Sequence, residues 1–340
     1  MMLRRDGARS ALRPLRLLTG VLAAITALVT LSGCSLLGDR SDASGPTRNG
    51  LEKSRVVVGV LPVIDLAPLH LAKKEGYFDA EGLDVELQVT PSGPEALNKM
   101  IGGDLDIAFS SYPAFIAAQA KKVAEVRIVA ESYAAKENTM MLMAGRDSPI
   151  HNPREVSGRR VAVTSTGSIS DLSVKSAVKT LGGKPETIQF VPMAFPQMEA
   201  ALDRGDVDAA LLVEPFITKA SKNIGARPVL DAASGPTAEL PLAGYGATAE
   251  FVAKNPKTVA AFQRALLRAQ REAEQDRTKV EALLPEYAGI DKETASLLKL
   301  GSFPSSLEPT RLQRVPDLLN AFGVIDQRIN VKDMIVPLPH

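Results

Sequence analysis

The chain has 340 residues, with 40 basic against 39 acidic side chains, one cysteine, three histidines and no tryptophan. A net charge of +1 argues against the strongly basic surface that nucleic acids demand, and a lone cysteine excludes both an intramolecular disulfide and a cysteine-rich metal cluster. Aromatic residues make up only 4%, so the core must be aliphatic, which suits α/β layers of Val, Ile, Leu and Ala.

The N-terminus carries Arg4, Arg5, Arg9, Arg13 and Arg16, then an apolar stretch over 17–31 that runs into Leu31-Ser32-Gly33-Cys34. That stretch is shorter than the ~20 residues of a spanning helix, and the small residues before the cysteine resemble the lipobox of a bacterial lipoprotein signal. Residues 1–33 therefore read as a signal peptide. Cys34 reads as the lipidation site of an exported protein anchored at the outer face of the cell membrane or facing a periplasm, since a free thiol would be a liability there. Cleavage before Cys34 removes five arginines and Asp6, which takes the net charge from +1 to −3. Residues 34–54, with Gly38, Gly45, Pro46, Gly50 and several Ser and Asp, read as a flexible tether.

From residue 55 the pattern alternates. Strands are predicted near 55–61, 84–89, 105–109 and 126–131, with helices near 66–76, 94–101 and 113–121. A second set follows, with strands near 139–144, 160–164, 187–191, 208–212 and 228–230 and helices near 169–181, 195–203 and 215–223. The string Gly103-Asp104-Leu105-Asp106-Ile107 returns as Gly205-Asp206-Val207-Asp208-Ala209, each closed by a proline, Pro113 and Pro215. The repeat predicts two α/β lobes with similar wiring. After residue 256 helical spacing dominates, so these helices are expected to return to the first lobe. That gives 55–135 with 240–340 as lobe 1 and 136–239 as lobe 2. The chain would cross between lobes near 133–136 and again near 238–245, a pair of crossovers suited to hinge closure.

Ligands of open parallel sheets bind beyond the carboxyl ends of strands. By that rule the candidate ligand residues are Asp65, Leu66, Ser110, Ser111, Tyr112, Thr164, Ser165, Thr166, Gly167, Ser168, Glu214 and Tyr245. The hydroxyl run 164–168 leads into a helix, where free amides and a positive dipole end would hold an anionic group; ordinary N-capping by Ser168 or Ser170 is the plainer alternative. Asp65 and Glu214, if they face the cleft, favour an amine or ring N–H; a surface cap and a structural hydrogen bond are their alternatives. His70, His151 and His340 are scattered, so no metal or nucleophile constellation is expected, and no cofactor.

Pro68-Leu69-His70-Leu71-Ala72-Lys73-Lys74-Glu75-Gly76-Tyr77-Phe78, with Gly82-Leu83-Asp84-Val85 after it, resembles the substrate-binding proteins of nitrate, sulfonate, taurine and thiamine-precursor ABC importers. The segments 156–163, 209–215 and 251–256 are similar to the same family, in family order. The resemblance implies a type II periplasmic-binding-protein fold. It implies a small-molecule solute, an ABC permease with a cytoplasmic ATPase as partner, and a monomer that delivers the solute. A sulfonate or taurine-like solute and a pyrimidine-like one both fit the hydroxyl and acidic candidates. Two alternatives remain open: a pyrimidine-precursor biosynthetic enzyme of the same superfamily, and a protein that presents its ligand to a sensor.

Overall fold

The structure is a computed structural model that describes residues 50–339. The expected signal peptide, Cys34 and the tether as far as residue 49 lie outside the described residues.

Two five-stranded sheets carry the fold. The first holds β1 (Arg55–Val60), β2 (Asp84–Val89), β3 (Ile107–Ser111), β4 (Val126–Ala134) and β10 (Pro241–Thr248), in the order β2-β1-β3-β10-β4. The second holds β5 (Met140–Ala144), β6 (Arg160–Val163), β7 (Gln189–Pro192), β8 (Ala209–Val213) and β9 (Arg227–Asp231), in the order β7-β6-β8-β5-β9. The wiring is the same in both. Three parallel strands lie beside one antiparallel strand, β10 or β5, which is the first strand after the chain arrives from the other lobe.

Helices α1 (Ala67–Lys74), α2 (Tyr77–Ala80), α3 (Gly93–Gly102) and α4 (Tyr112–Ala120) connect the first sheet. Helices α5 (Ile169–Thr180), α6 (Phe195–Arg204) and α7 (Phe216–Ile224) connect the second. After β10 come α8 (Ala249–Lys254), α9 (Pro256–Gln275), α10 (Arg277–Tyr287), α11 (Lys292–Leu297) and α12 (Pro309–Ala321). Helix α9 packs on α1, α2 and β4, and Phe262 stacks on Phe78 and meets the edge of Tyr245. Helix α12 packs on α4. The C-terminal helices thus cover lobe 1.

The repeated string has a physical cause. Gly103 and Gly205 end α3 and α6 in the left-handed region, at φ +86° and +71°, where a Cβ is penalised. The next amides, of Asp104 and Asp206, reach back to the carbonyls of Lys99 and Ala201, both at 2.9 Å, and close the helix ends. Two residues on, the Asp106 carboxylate accepts the Val57 amide at 2.9 Å and the Asp208 carboxylate accepts the Arg160 amide at 2.8 Å. Each aspartate pins its strand against the parallel strand beside it, β1 or β6.

Two boundaries differ from expectation. The segment 238–245, read as a crossover, mostly belongs to β10, between β3 and β4; the connectors between lobes are 135–139 and 232–240. They touch through the Ala135 amide, which donates to the Leu240 carbonyl at 3.0 Å. The folded body also starts earlier than residue 55. Leu51 is buried, and the Glu52 carboxylate accepts the amides of Lys257 and Thr258 at the start of α9, at 3.1 and 3.0 Å.

Candidate functional site: a closed cleft between two lobes

The carboxyl ends of β1 and β3 face those of β6 and β8 across a cavity of about 70 Å³. One lodged water takes ~10–15 Å³ on such a measure, so there is room for a small solute. Lobe 1 contributes Leu61, Val63, Asp65, Gly93, Pro94, Phe109, Ser111, Leu242 and Ala243. Lobe 2 contributes Met140, Thr164, Ser168, Ile169, Ser170, Phe195, Leu211 and Val213. The wall is mostly aliphatic and aromatic, and among the described residues Asp65 is its only charged member.

Asp65 sits in a single 3₁₀ turn, Ile64–Leu66, which hands β1 over to α1. It is 8% exposed, and its Oδ1 has no hydrogen-bond partner in the protein. Burial raises its pKa from the usual 3.8 to about 7. The hydroxyl of Ser132 holds the turn by donating to the Asp65 carbonyl at 2.7 Å. On the next strand Ser111 is buried with its Oγ also unpartnered. A buried polar atom left without a partner costs about 1–3 kcal/mol, so two on one small cavity wall suggest that the partner is a ligand.

The start of α5 is arranged differently from what the hydroxyl run suggests. The Ser168 amide donates to Asp171 Oδ1 at 2.9 Å, and the Ser168 hydroxyl donates to the Ser165 carbonyl at 3.0 Å. The Thr164 and Ser170 hydroxyls bond each other at 2.9 Å. A buried carboxylate of the chain itself therefore sits where a bound anion was expected, and Lys175 pairs with that carboxylate at 2.7 Å. Thr164 and Ser168 line the cavity, but their oxygens are already engaged. Ser165 is set back with an unpartnered buried Oγ, and Thr166 and Gly167 lie exposed in the loop.

The remaining candidates lie off the wall. Leu66 is fully buried as the N-cap of α1. Ser110 is buried behind Gly93, where an added Cβ would stand 2.7 Å from its Oγ. Tyr112 is buried with its hydroxyl against Gly244. Tyr245 lies within the sheet between Phe109 and Phe262, its hydroxyl 3.5 Å from the Ser132 Oγ.

Glu214 is 1% exposed and spends its oxygens inside the protein. Its Oε2 accepts the Thr218 amide at 3.1 Å, and its Oε1 accepts the Thr218 hydroxyl at 2.9 Å and the Lys299 amide at 3.2 Å. Its carbonyl accepts the Ile64 amide at 3.3 Å. Thr218 belongs to lobe 2, whereas Ile64 and Lys299 belong to lobe 1. Glu214 therefore ties the two lobes together beside the cavity. Burial raises its pKa, opposed by the Lys299 and Thr218 hydrogen bonds.

Wall residues absent from the sequence-based set are mainly apolar: Phe109, Met140, Phe195 and Leu242. Gly93-Pro94 and Phe195 follow β2 and β7, so the strand-end rule would have found them had it been applied to those strands as well.

His70 stacks on Tyr287 with ring centroids 3.8 Å apart and does not line the cavity. Among the described residues no group of three or more His, Cys, Asp or Glu is placed to hold a metal ion.

Known proteins resemble this chain in sequence and in fold. The chain is 26% identical over 211 residues to the taurine-binding periplasmic protein of Escherichia coli (strain K12), covering 60% of this chain and 62% of that protein. It is 28% identical over 216 residues to the 4-amino-5-hydroxymethyl-2-methylpyrimidine phosphate synthase of Aspergillus parasiticus, covering 60% of this chain and 61% of that protein. The chain thus spans about six-tenths of the length of these curated relatives. Among solved structures it superposes on the alkanesulfonate-binding protein SsuA from Xanthomonas axonopodis pv. citri bound to MOPS. That match has a TM-score of 0.70 at 17% identity, over 83% of this chain and 98% of that one. The superposition shows the periplasmic-binding-protein fold, with two mixed sheets and no closed barrel. The profile of the NMT1-like family matches residues 49–284, and the chain belongs to that family.

Proposed function

We propose that this protein is the extracytoplasmic solute-binding component of an ABC importer. It captures a small polar organic solute, taurine-like or pyrimidine-like, between its lobes and delivers it to the permease. The observation that carries the reading is the closed interlobe cavity with two buried, unpartnered polar atoms, Asp65 Oδ1 and Ser111 Oγ, on an otherwise apolar wall. Such a site recognises through a few placed polar groups and gains affinity from apolar contact. The connectors 135–139 and 232–240 act as the hinge, and Asp65, Ser111, Thr164 and Ser168 are the ligand-facing members of the predicted set. Cys34 carries the lipid anchor, and the protein works as a monomer that docks on the transmembrane subunits of a permease powered by a cytoplasmic ATPase.

Pyrimidine synthesis is the competing reading, favoured by the Aspergillus relative. Enzymes of that kind in the superfamily carry a cysteine-rich cluster and consume an active-site histidine. Here the single cysteine lies at position 34, and His70 is stacked on Tyr287 away from the wall. We therefore read the protein as a binder and not an enzyme.

The test is a thermal-shift panel on the full chain purified in detergent, with taurine, alkanesulfonates, nitrate, aminopyrimidines and small amines, paired with uptake in a deletion strain. A ligand at a hundredfold excess over its dissociation constant stabilises by ~2.7 kcal/mol, a shift of a few degrees for a chain of this size. A response to one chemical group, with loss of uptake on deletion, supports the reading. Intact uptake with lost induction points instead to a sensor role. Turnover of a pyrimidine precursor would overturn the binder assignment.

A further inference from the structure

We propose that the solute is recognised through a cationic or N–H-bearing group that pairs with Asp65, while the start of α5 on the opposite wall is closed to an anion by the chain's own carboxylate. This rests on the solute-binding reading and names the chemical class it accepts.

Three observations point the same way. First, the only charged side chain on the cavity wall, among the described residues, is a carboxylate, with no Lys, Arg or His to face an anion. Second, of the helix starts that meet the cavity, those of α3, α4, α5 and α6, the start of α5 is already answered by the chain. Asp171 accepts the Ser168 amide, and the Thr164, Ser168 and Ser170 hydroxyls are engaged with one another and with the Ser165 carbonyl. An incoming sulfonate or nitrate would meet oxygens and a second buried carboxylate there, a like-charge juxtaposition in a poorly solvated space. Third, Asp65 Oδ1 and Ser111 Oγ are both buried and unpartnered, offering one charged acceptor and one hydroxyl acceptor to a donor-rich group. The apolar remainder, with Phe109 and Phe195 among its members, fits a hydrocarbon or ring body behind that group.

The groups around Asp65 leave it as the one that titrates on this wall near neutrality. Tyr133 of β4, Tyr245 of β10 and Tyr287 of α10 feel its charge, and burial holds all three hydroxyls above their ordinary range. His70 of α1, next to Tyr287, is pushed down to about 4 by burial and stays neutral. Glu214 is raised but is hydrogen-bonded to Thr218 and Lys299; Glu131, off the wall and paired with Arg311, is also raised by burial to about 7, so the Asp65→Asn variant is what assigns the titration to Asp65. A cation binds the ionised form of Asp65, so its affinity rises with pH through the interval around 7. An anion excluded by that charge shows the reverse.

The experiment compares two probes with the same hydrocarbon body, butylamine and butanesulfonate, together with taurine and a 4-aminopyrimidine. Each is titrated by calorimetry and thermal shift into the detergent-purified full chain at pH 6, 7 and 8. Butylamine or the aminopyrimidine is expected to bind, about tenfold weaker at pH 6 than at pH 8 for a single carboxylate titrating near 7. In Asp65→Asn affinity should drop at least tenfold and lose its pH dependence, whereas Ser111→Ala should weaken binding and keep it. Should Asp65→Asn not fold, the contrast between butylamine and butanesulfonate still carries the test. Butanesulfonate bound as tightly as butylamine, or tighter at pH 6 than at pH 8, overturns the cation assignment and leaves the solute-binding reading standing. Failure of every amine and aminopyrimidine to bind overturns it equally. The solute-binding reading fails separately, on a silent full panel with intact uptake in the deletion strain.

Discussion

Asp65 carries a cost in stability that depends on pH. Its folded-state pKa of about 7 lies above the unfolded value of 3.8, so between those values the folded state holds a proton that the unfolded chain releases. Stability is therefore fully present below pH 3.8, falls as pH rises towards 7, and is lowest above it. A rise of that size corresponds to roughly 4 kcal/mol. Asp65→Asn is then expected to stabilise the unliganded protein by ~2–4 kcal/mol at pH 8 and much less at pH 4.5, as read by chemical denaturation at the two pH values. An unchanged difference between variant and wild type across that range would mean that the carboxylate is better solvated than its burial implies. His70 acts with the opposite sign, since its pKa falls from 6.5 to about 4 and stability is lost as pH drops through that window. That contribution is common to variant and wild type and cancels in the comparison. Asp65 and Ser111 were legible from the sequence because a strand end followed by a helix start places them. Whether Glu214 faced the ligand or the protein was not legible, because its partner Lys299 lies 85 residues away.

At the scale of elements, the repeated Gly-Asp strings were readable because their causes are local: a left-handed helix end and an aspartate that bonds one neighbouring strand. Strand β10 was not readable. Most of Pro241-Leu242-Ala243-Gly244-Tyr245-Gly246 fell in the segment read as a crossover, and glycine and proline weaken strands in isolation. The glycines are there because the sheet is crowded at that point. A Cβ on Gly244 would stand 2.6 Å from the Ala130 carbonyl oxygen and from the Tyr112 hydroxyl, and one on Gly246 would stand 2.8 Å from the Phe115 ring. Gly244→Ala is expected to destabilise by ~1–3 kcal/mol, because the Ala130 carbonyl is backbone and cannot swing aside. Gly102→Ala, at the end of α3 with nothing within 4 Å of its added methyl, should be neutral or stabilise by ~0.5–1 kcal/mol. Urea midpoints of the two variants measure the contrast, and equal effects would argue against crowding as the reason for glycine in β10.

For the whole molecule, polar bonds between the lobes gather at Glu214, between α7 and α11, and where Arg314 of α12 donates to the connector carbonyls of Pro236, Ala238 and Glu239. Glu214 links Ile64 and Lys299 of lobe 1 to Thr218 of lobe 2, and Lys222 of α7 reaches Thr294 of α11 at 3.2 Å. Glu214→Gln leaves one carboxamide oxygen for three donors, so one of these bonds must be lost, at ~1–3 kcal/mol. In the proposed clamp this shifts the unliganded protein towards an open form, which small-angle scattering would read as a larger radius of gyration. Apparent ligand affinity should fall in proportion to the lost closed fraction. An unchanged radius with unchanged affinity would make Glu214 a brace within lobe 2 alone. The sequence by itself determined the two-lobe α/β plan, the helical return to lobe 1 and the family, because periodicity, helix-end glycines and strand-end loops are short-range signals. Only the tertiary structure decided which polar atoms are left unpartnered. It brought Asp65 and Ser111 of one lobe opposite the start of α5 in the other, let Asp171 and Lys299 satisfy groups that looked free, and buried Tyr112 and Tyr245. Hydrogen-bond satisfaction and burial are properties of distant segments brought together, and no local pattern encodes them.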